Sequence, residues 1–373
     1  MVQYSRRYVI MSGSAAVMLG GCALPRNAPQ KREVLAGLDS DAPGFSLHVV
    51  TRATLPQFAS WPATGPTPAM AHVGWPGPGR GPHSPTIAPG DRLNLRIWDA
   101  DETSLITAPD AQVTDMPGLS VSPSGHIFLP YVDEVHVAGL TPDGARRQVQ
   151  SSMAAITPSA QVQLEFAAGQ ANAVDMVSGV VSPGNYPFAF GSMSILNVIS
   201  AAGGVPDALR NPQVRLMRSG RVHGISLAAI YDDPAKDVAL QGRDRVIIEA
   251  DDRAFTALGA TGRQEVLDFD TDRISALSAV SMMGGITDTR ADPRGILILR
   301  RYPAAVVGQP RMPTTERVVF SLDLTTADGL FSADEFAIQS GDVVLATQSP
   351  VTSVERVFQL LGSAFGLAAR ARG

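Results

Sequence analysis

Apolar and polar residues alternate with period two over Leu93, Leu95 and Ile97, with Asn94 and Arg96 between them. That pattern predicts a half-buried strand, opened by a turn at Gly90-Asp91. Residues 121–130 (VSPSGHIFLP) place a turn between two short strands, and Gln161 to Phe166 alternates again as a strand. Between them Thr141-Pro142 reads as an N-cap followed by proline at the first helical position, starting a helix that runs to about Ala155. Phe45 to Val50 reads as a short strand.

The second half repeats itself. Residues 194–207 match residues 275–288 at an offset of 81, and Pro212 meets Pro293 and Leu216 meets Leu297 at that same offset. Each copy predicts a short helix, with apolar pairs at Leu196/Ile199 and Leu277/Val280, stopped by a Gly-Gly that can turn left-handed. The ends of the copies match at an offset of 98, residues 240–247 against 338–345. The difference, 98 − 81 = 17 residues, predicts an insertion in the second copy, and Tyr302 to Val318 is the loop to hold it.

Composition narrows the classes. With 30 basic and 35 acidic residues the net charge is −5, so binding nucleic acid through its phosphates is disfavoured. At 45% hydrophobic and 17% charged residues, the 373-residue chain can build folded domains. One cysteine and six scattered histidines exclude a disulfide framework and a cysteine-rich metal centre.

That cysteine ends the N-terminal signal. Arg6-Arg7 precede an apolar run, Tyr8 to Leu19, too short to span a bilayer but suited to a signal peptide. The run leads into Leu19-Gly20-Gly21-Cys22, which resembles a bacterial lipobox with Cys22 as the lipidated residue. Residues 5–10 also resemble a twin-arginine signal. Ala23 after the cysteine resembles an outer-membrane address. Residues 61–90, with eight prolines and six glycines, forbid long helices and strands.

The last twenty-odd residues are strongly amphipathic at helical spacing. Val354, Val357, Phe358, Leu361 and Phe365 share one face, and Glu355, Gln359, Ser363 and Gly366 the other. About twenty residues at 1.5 Å each span roughly 30 Å, a hydrocarbon core's thickness. A lone spanning helix would expose polar groups to lipid, whereas a ring of copies turns the apolar face to lipid and the polar stripe to a lumen. A helix lying flat on the membrane, or packed on its own domain, satisfies the same pattern.

Catalytic signals are absent. Residues 268–272 (DFDTD) carry alternating carboxylates but have Arg273 and Ala279 where a calcium loop needs glycine and glutamate, so Thr271 or Asp272 reads instead as the cap of the following helix. His126 and His136 can meet across a hairpin without a further ligand nearby. Trp61, Trp75 and Trp98 read as core or loop anchors. No catalytic residue, metal or cofactor is predicted.

Residues 87–93 (IAPGDRL), the Gly125-to-Pro130 core and the two Gly-Gly modules together resemble the outer-membrane polysaccharide export lipoproteins of the Wza type. The resemblance implies a multidomain α+β chain. It would comprise a signal peptide (1–21), a lipidated tether (22–43), an export domain (44–170, including 61–90), two β-grasp-like SLBB modules (171–252 and 253–350) and a C-terminal transmembrane helix (351–373). It also implies a homo-oligomeric channel passing capsular or extracellular polysaccharide, served by an inner-membrane co-polymerase and anchored in outer-membrane lipid. A periplasmic lipoprotein that binds glycan or a partner protein without forming a pore is the alternative.

Overall fold

The computed structural model describes residues 28–39, 44–65, 74–77, 86–99, 113–188, 193–286 and 291–350. The lipobox residues Leu19, Gly20, Gly21 and Cys22 and the whole C-terminal segment 351–373 lie outside them. Among the described residues no helix is long and apolar enough to cross a membrane. The chain divides into two compact units.

The N-terminal elements come first: α1 (Lys31–Val34), β1 (Ser46–Val49) and α2 (Leu55–Ala59). The next group holds β2 (Arg92–Trp98), β3 (Val113–Ser120), the hairpin β4 (His126–Leu129) and β5 (Asp133–His136), helix α3 (Pro142–Ala154) and β6 (Gln161–Ala167). Strands β3, β2 and β6 form an antiparallel sheet in that order. Leu93, Leu95 and Ile97 are buried, as their alternation requires. Helix α3 lays Ala145, Val149 and Met153, spaced four apart, on the same core. The Thr141 side chain accepts the Gly144 N–H and caps it.

The first repeat follows in the same unit: β7 (Ala173–Ser178), β8 (Gly184–Pro187), α4 (Ile195–Ala201), β9 (Gln213–Arg218), β10 (Arg221–Ser226), α5 (Leu227–Asp232) and β11 (Arg245–Glu249). The second repeat lies in the other unit: β12 (Ala254–Gly259), β13 (Val266–Asp268), α6 (Ala276–Met282), β14 (Ala291–Arg301), β15 (Arg317–Leu322), α7 (Ala327–Glu335) and β16 (Val343–Gln348). The sheet orders are β10-β9-β11-β7-β8 and β15-β14-β16-β12-β13, the same arrangement built twice. In both, a parallel pair sits inside the sheet, β11 with β7 and β16 with β12. Both helices bury equivalent positions, Ile195/Val198/Ile199 and Ala276/Ala279/Val280, with Leu196 only partly buried. Both end in glycine pairs at φ between 74° and 84°, a conformation that a Cβ would strain.

Register locates the insertion. Val214 pairs with Ile225 and Ile296 with Leu322, so the offset grows from 82 to 97 across the β9–β10 and β14–β15 connections. Fifteen of the seventeen extra residues (97 − 82) therefore lie in the loop that the sequence indicated. The match of Leu216 to Leu297 is corrected by one residue. Both Leu216 and Ile298 face the equivalent valine of the neighbouring strand, Val246 and Val344, and the register of β14 is irregular just before, between Ala291 and Ile296.

Two other expectations change. The short strand β1 does form, but it pairs in parallel with β15, and residues up to 65 pack with the second repeat rather than with the sheet of β2, β3 and β6. The driving force is aromatic. His48, Phe58 and Trp61 cluster with Phe320, and Trp61 also meets Tyr302, all at centroid distances of 5.1–6.1 Å. The cap of α6 is Ser275, whose hydroxyl accepts the Ser278 N–H, not Thr271 or Asp272. Asp272 is engaged elsewhere: it accepts from Ser226 and from Asn211 (3.2 Å). Asp268 pairs with Arg210. The alternating carboxylates thus hold a strap onto the first repeat.

His48 makes the aromatic cluster pH-sensitive. Its Nε2 is buried without a hydrogen-bond partner among the described residues, and burial holds its imidazole below the ordinary histidine value. The unfolded chain therefore binds the proton more readily. The stabilisation is complete above the unfolded value near 6.5 and is lost as pH falls through the lower folded value. Melting followed by Trp61 fluorescence is expected to drop between pH 7.5 and 5.5, and His48→Phe to flatten that slope.

Candidate functional site

The residues predicted to carry function at the two chain ends lie outside the described structure: Cys22 and its lipobox, Val354, Glu355, Val357, Phe358, Gln359, Leu361, Ser363, Phe365 and Gly366. Three polar constellations stand within it.

Asp91, in the 87–93 segment, is fully buried and receives three donors: the Ala88 N–H (2.7 Å), the Gly169 N–H (2.7 Å) and the Asn172 amide (2.7 Å). The same Asn172 amide reaches Thr86 O at 2.9 Å. A carboxylate saturated in this way locks the entry of β2 to the segment that leads into the first repeat. Gly169 approaches so closely that a Cβ would meet Gly90 O at 2.5 Å.

The two repeats carry an equivalent buried arginine–aspartate pair. In the first, Arg218 grips Asp244 (Nη2–Oδ2 2.6 Å) and reaches Ala239 O at 2.8 Å. In the second, Arg300 holds Asp342 through Nε–Oδ1 (2.9 Å) and Nη2–Oδ2 (2.7 Å) and reaches Ala337 O at 2.9 Å. The acceptor roles are completed identically, by the Gln241 and Gln339 N–H groups. Arg300 also stacks over Phe320 and Phe336, at 5.3 and 5.2 Å. Burial alone would lower the Arg300 guanidinium, but the hydrogen bonds and charge of Asp342 outweigh it and hold the group above its ordinary value. Burial pushes the Asp342 carboxyl up, and Arg300 pulls against that. With the Asp244 and Asp342 carboxylates both buried, these are structural pairs.

The third constellation is the open face of the β3-β2-β6 sheet. Its central row is Asp115–Arg96–Gln163; the rows beside it hold Asn94 with Glu165, and Trp98 with Val113 and Gln161. Arg96 binds Asp115 through Nε–Oδ1 (2.6 Å) and Nη2–Oδ2 (3.1 Å). That bond raises the guanidinium and lowers the Asp115 carboxyl from their ordinary values. The Asn94 carbonyl accepts the Gly118 N–H at 2.8 Å. Asn94, Arg96, Asp115, Gln163 and Glu165 line a groove of about 350 Å³. Of the three tryptophans, Trp61 and Trp75 are anchors, their indole N–H groups bound to Arg311 O and Lys236 O at 2.8 Å. Trp98 is not: it lies on this open face, 36% exposed. The period-two alternation of residues 92–98 already put Trp98 with Asn94 and Arg96, opposite the buried residues, and was the signal to follow.

His126 and His136 do face each other in register, ring centroids 4.9 Å apart, with His126 Nδ1 against Ser124 Oγ at 3.2 Å. No group of three or more metal-ligating side chains occurs among the described residues.

The sequence profile described as "Polysaccharide biosynthesis/export protein" matches residues 81–166, the span holding Asp91, the groove and the β4–β5 hairpin. The chain is 24% identical to "Capsule polysaccharide export protein BexD" of Haemophilus influenzae, over 96% of each chain. It is 25% identical to "Capsule polysaccharide export outer membrane protein CtrA" of Neisseria meningitidis serogroup A, over 74% of this chain and 76% of the relative. It is 26% identical to "EPS I polysaccharide export outer membrane protein EpsA" of Ralstonia solanacearum, over 74% of each. A matched domain over residues 81–166 and similarity running nearly end to end thus make the chain similar to polysaccharide export proteins.

Proposed function

We propose that this chain is an outer-membrane lipoprotein that exports capsular or extracellular polysaccharide through an oligomeric channel. Similarity over 96% of the chain and of a capsule polysaccharide export protein carries the reading. In it Cys22 takes the lipid anchor, residues 81–166 act as the export domain, and the two repeats are SLBB-type modules in the periplasm. Residues 351–373 form the spanning helix, with Glu355, Gln359, Ser363 and Gly366 toward the lumen and Val354, Val357, Phe358, Leu361 and Phe365 toward lipid. An inner-membrane co-polymerase feeds the chain from below. A hydrated polymer needs a wide wet path rather than a tight pocket, and strong binding at any one point would slow it. No catalytic step is assigned. The duplicated sheet supports the reading of two like modules, since both repeats build the same five-strand order, to which β1 adds a sixth strand in the second.

Native mass measurement of the lipidated full chain, extracted in mild detergent, tests this. A closed ring of fixed stoichiometry is the expected species. A monomer at every concentration would replace the channel with a periplasmic glycan- or protein-binding lipoprotein.

A further inference from the structure

We propose that the open groove of the β3-β2-β6 sheet is a contact site for neutral, polyhydroxylated sugar units of the exported polymer, with Trp98, one row further along β2 from Arg96, as a stacking platform beside it. The proposal rests on the export reading above and adds to it where the polymer touches the chain.

The solvent face of an antiparallel sheet is ordinarily polar; this one is also concave, about 350 Å³, at the lower end of ligand-pocket sizes of roughly 300–1,000 Å³. Its lining alternates donors and acceptors on a lattice about 4.8 Å across the strands and about 6.7 Å along them. Arg96 spends two of its five N–H groups on Asp115, and the remainder lie outside that pair. The Asn94 carbonyl is held by the Gly118 N–H, which leaves the NH₂ end of the amide outside that bond. Gln163 offers both a donor and an acceptor, and Glu165 offers acceptors beside Asn94. Planar groups of this kind bind vicinal hydroxyls in pairs, while an indole covers the C–H face of a pyranose ring.

Charge selects among polymers. The groove and the exposed Arg92 one row beyond Asn94 together hold two guanidiniums against two carboxylates, Asp115 and Glu165, so the face presents no net positive charge to uronic acids or phosphates. Neutral sugar residues fit that balance. Contacts made by exposed, solvated side chains are weak, as a site on a moving polymer must be.

The test uses the full chain labelled with ¹⁵N at its three indoles, titrated with a neutral gluco-hexasaccharide and, separately, a galacturonic-acid hexasaccharide. The Trp98 indole signal is expected to shift with the neutral sugar in the millimolar range, while the carbonyl-bound Trp61 and Trp75 indoles stay in place. Gln163→Ala is expected to weaken the effect about fivefold or more, and the acidic sugar to bind about fivefold more weakly. In Trp98→Ala, saturation transfer to the neutral sugar should fall by a similar factor. A Trp98 signal indifferent to both sugars, a shift unchanged in Gln163→Ala, or tighter binding of the acidic sugar would each overturn the proposal. Surface polysaccharide in cells whose only copy carries Trp98→Ala and Gln163→Ala separates the two readings. Export that persists in those cells, together with a wild-type Trp98 signal indifferent to both sugars, removes the groove and leaves the channel intact.

Discussion

Asp342→Ala is expected to destabilise the unit containing the second repeat by about 3–5 kcal/mol, measured by urea unfolding with Trp61 as the sole fluorophore after Trp75→Phe and Trp98→Phe. The reason is asymmetric. The Arg300 side chain is 2% exposed and Asp342 is fully buried, so removing the carboxylate strands a guanidinium that water cannot reach. Its remaining partners are the Ala337 carbonyl, the Tyr302 hydroxyl at 3.4 Å and two phenyl faces. None of them carries a full negative charge. The equivalent Asp244→Ala should cost less, roughly 1–3 kcal/mol, because Arg218 is 16% exposed and can turn toward water. Replacing both partners, Arg300→Met with Asp342→Leu, should recover at least half of the single-variant loss, since an apolar pair leaves no orphan charge. A cost below about 1 kcal/mol for Asp342→Ala would mean that the pair is a solvated contact rather than the pin of the sheet.

These pairs also mark where sequence legibility stops. Local signals were readable wherever the cause was local. The alternation of residues 92–98, the Thr141–Pro142 helix start and the glycine pairs at 203–204 and 284–285 each fix a backbone choice within a few residues, and each stands in the structure. The insertion between the repeats was readable because loops absorb extra residues more cheaply than strands do. What escaped depends on distant partners. Nothing within Ser46–Val49 says that it will pair with Val318–Ser321, some 270 positions later. Asp272 resembles a helix cap until Ser226 and Asn211 are brought beside it by the fold. The one-residue slip from Leu297 to Ile298 stands beside an irregular register between Ala291 and Ile296, a shift that no local pattern announces. Trp98 departs from the anchor role for a different reason: tryptophan is commonly buried, but the alternation of β2 sets it with Asn94 and Arg96, opposite the buried Leu95 and Ile97.

Deleting residues 351–373 is expected to reduce surface polysaccharide to the level of a strain lacking the gene while leaving the lipidated chain in the outer membrane. The expectation follows from separable functions. Anchoring is assigned to lipid on Cys22, where buried methylenes contribute about 0.8 kcal/mol each, so it does not need the C-terminal helix. Passage across the bilayer is assigned to residues 351–373, whose apolar and polar positions at helical spacing suit a ring of helices around a lumen. Two point variants sharpen the test. Phe358→Asp puts a carboxylate on the face assigned to lipid, at a cost of about 2.5–3.5 kcal/mol per copy near the bilayer centre, and should abolish export with every copy of a ring affected. Gln359→Asn keeps a polar group on the lumen face and should leave export near normal. If instead Phe358→Asp exports normally and the truncated chain still conducts in planar bilayers, the helix does not line the path. The crossing would then have to be sought elsewhere in the chain.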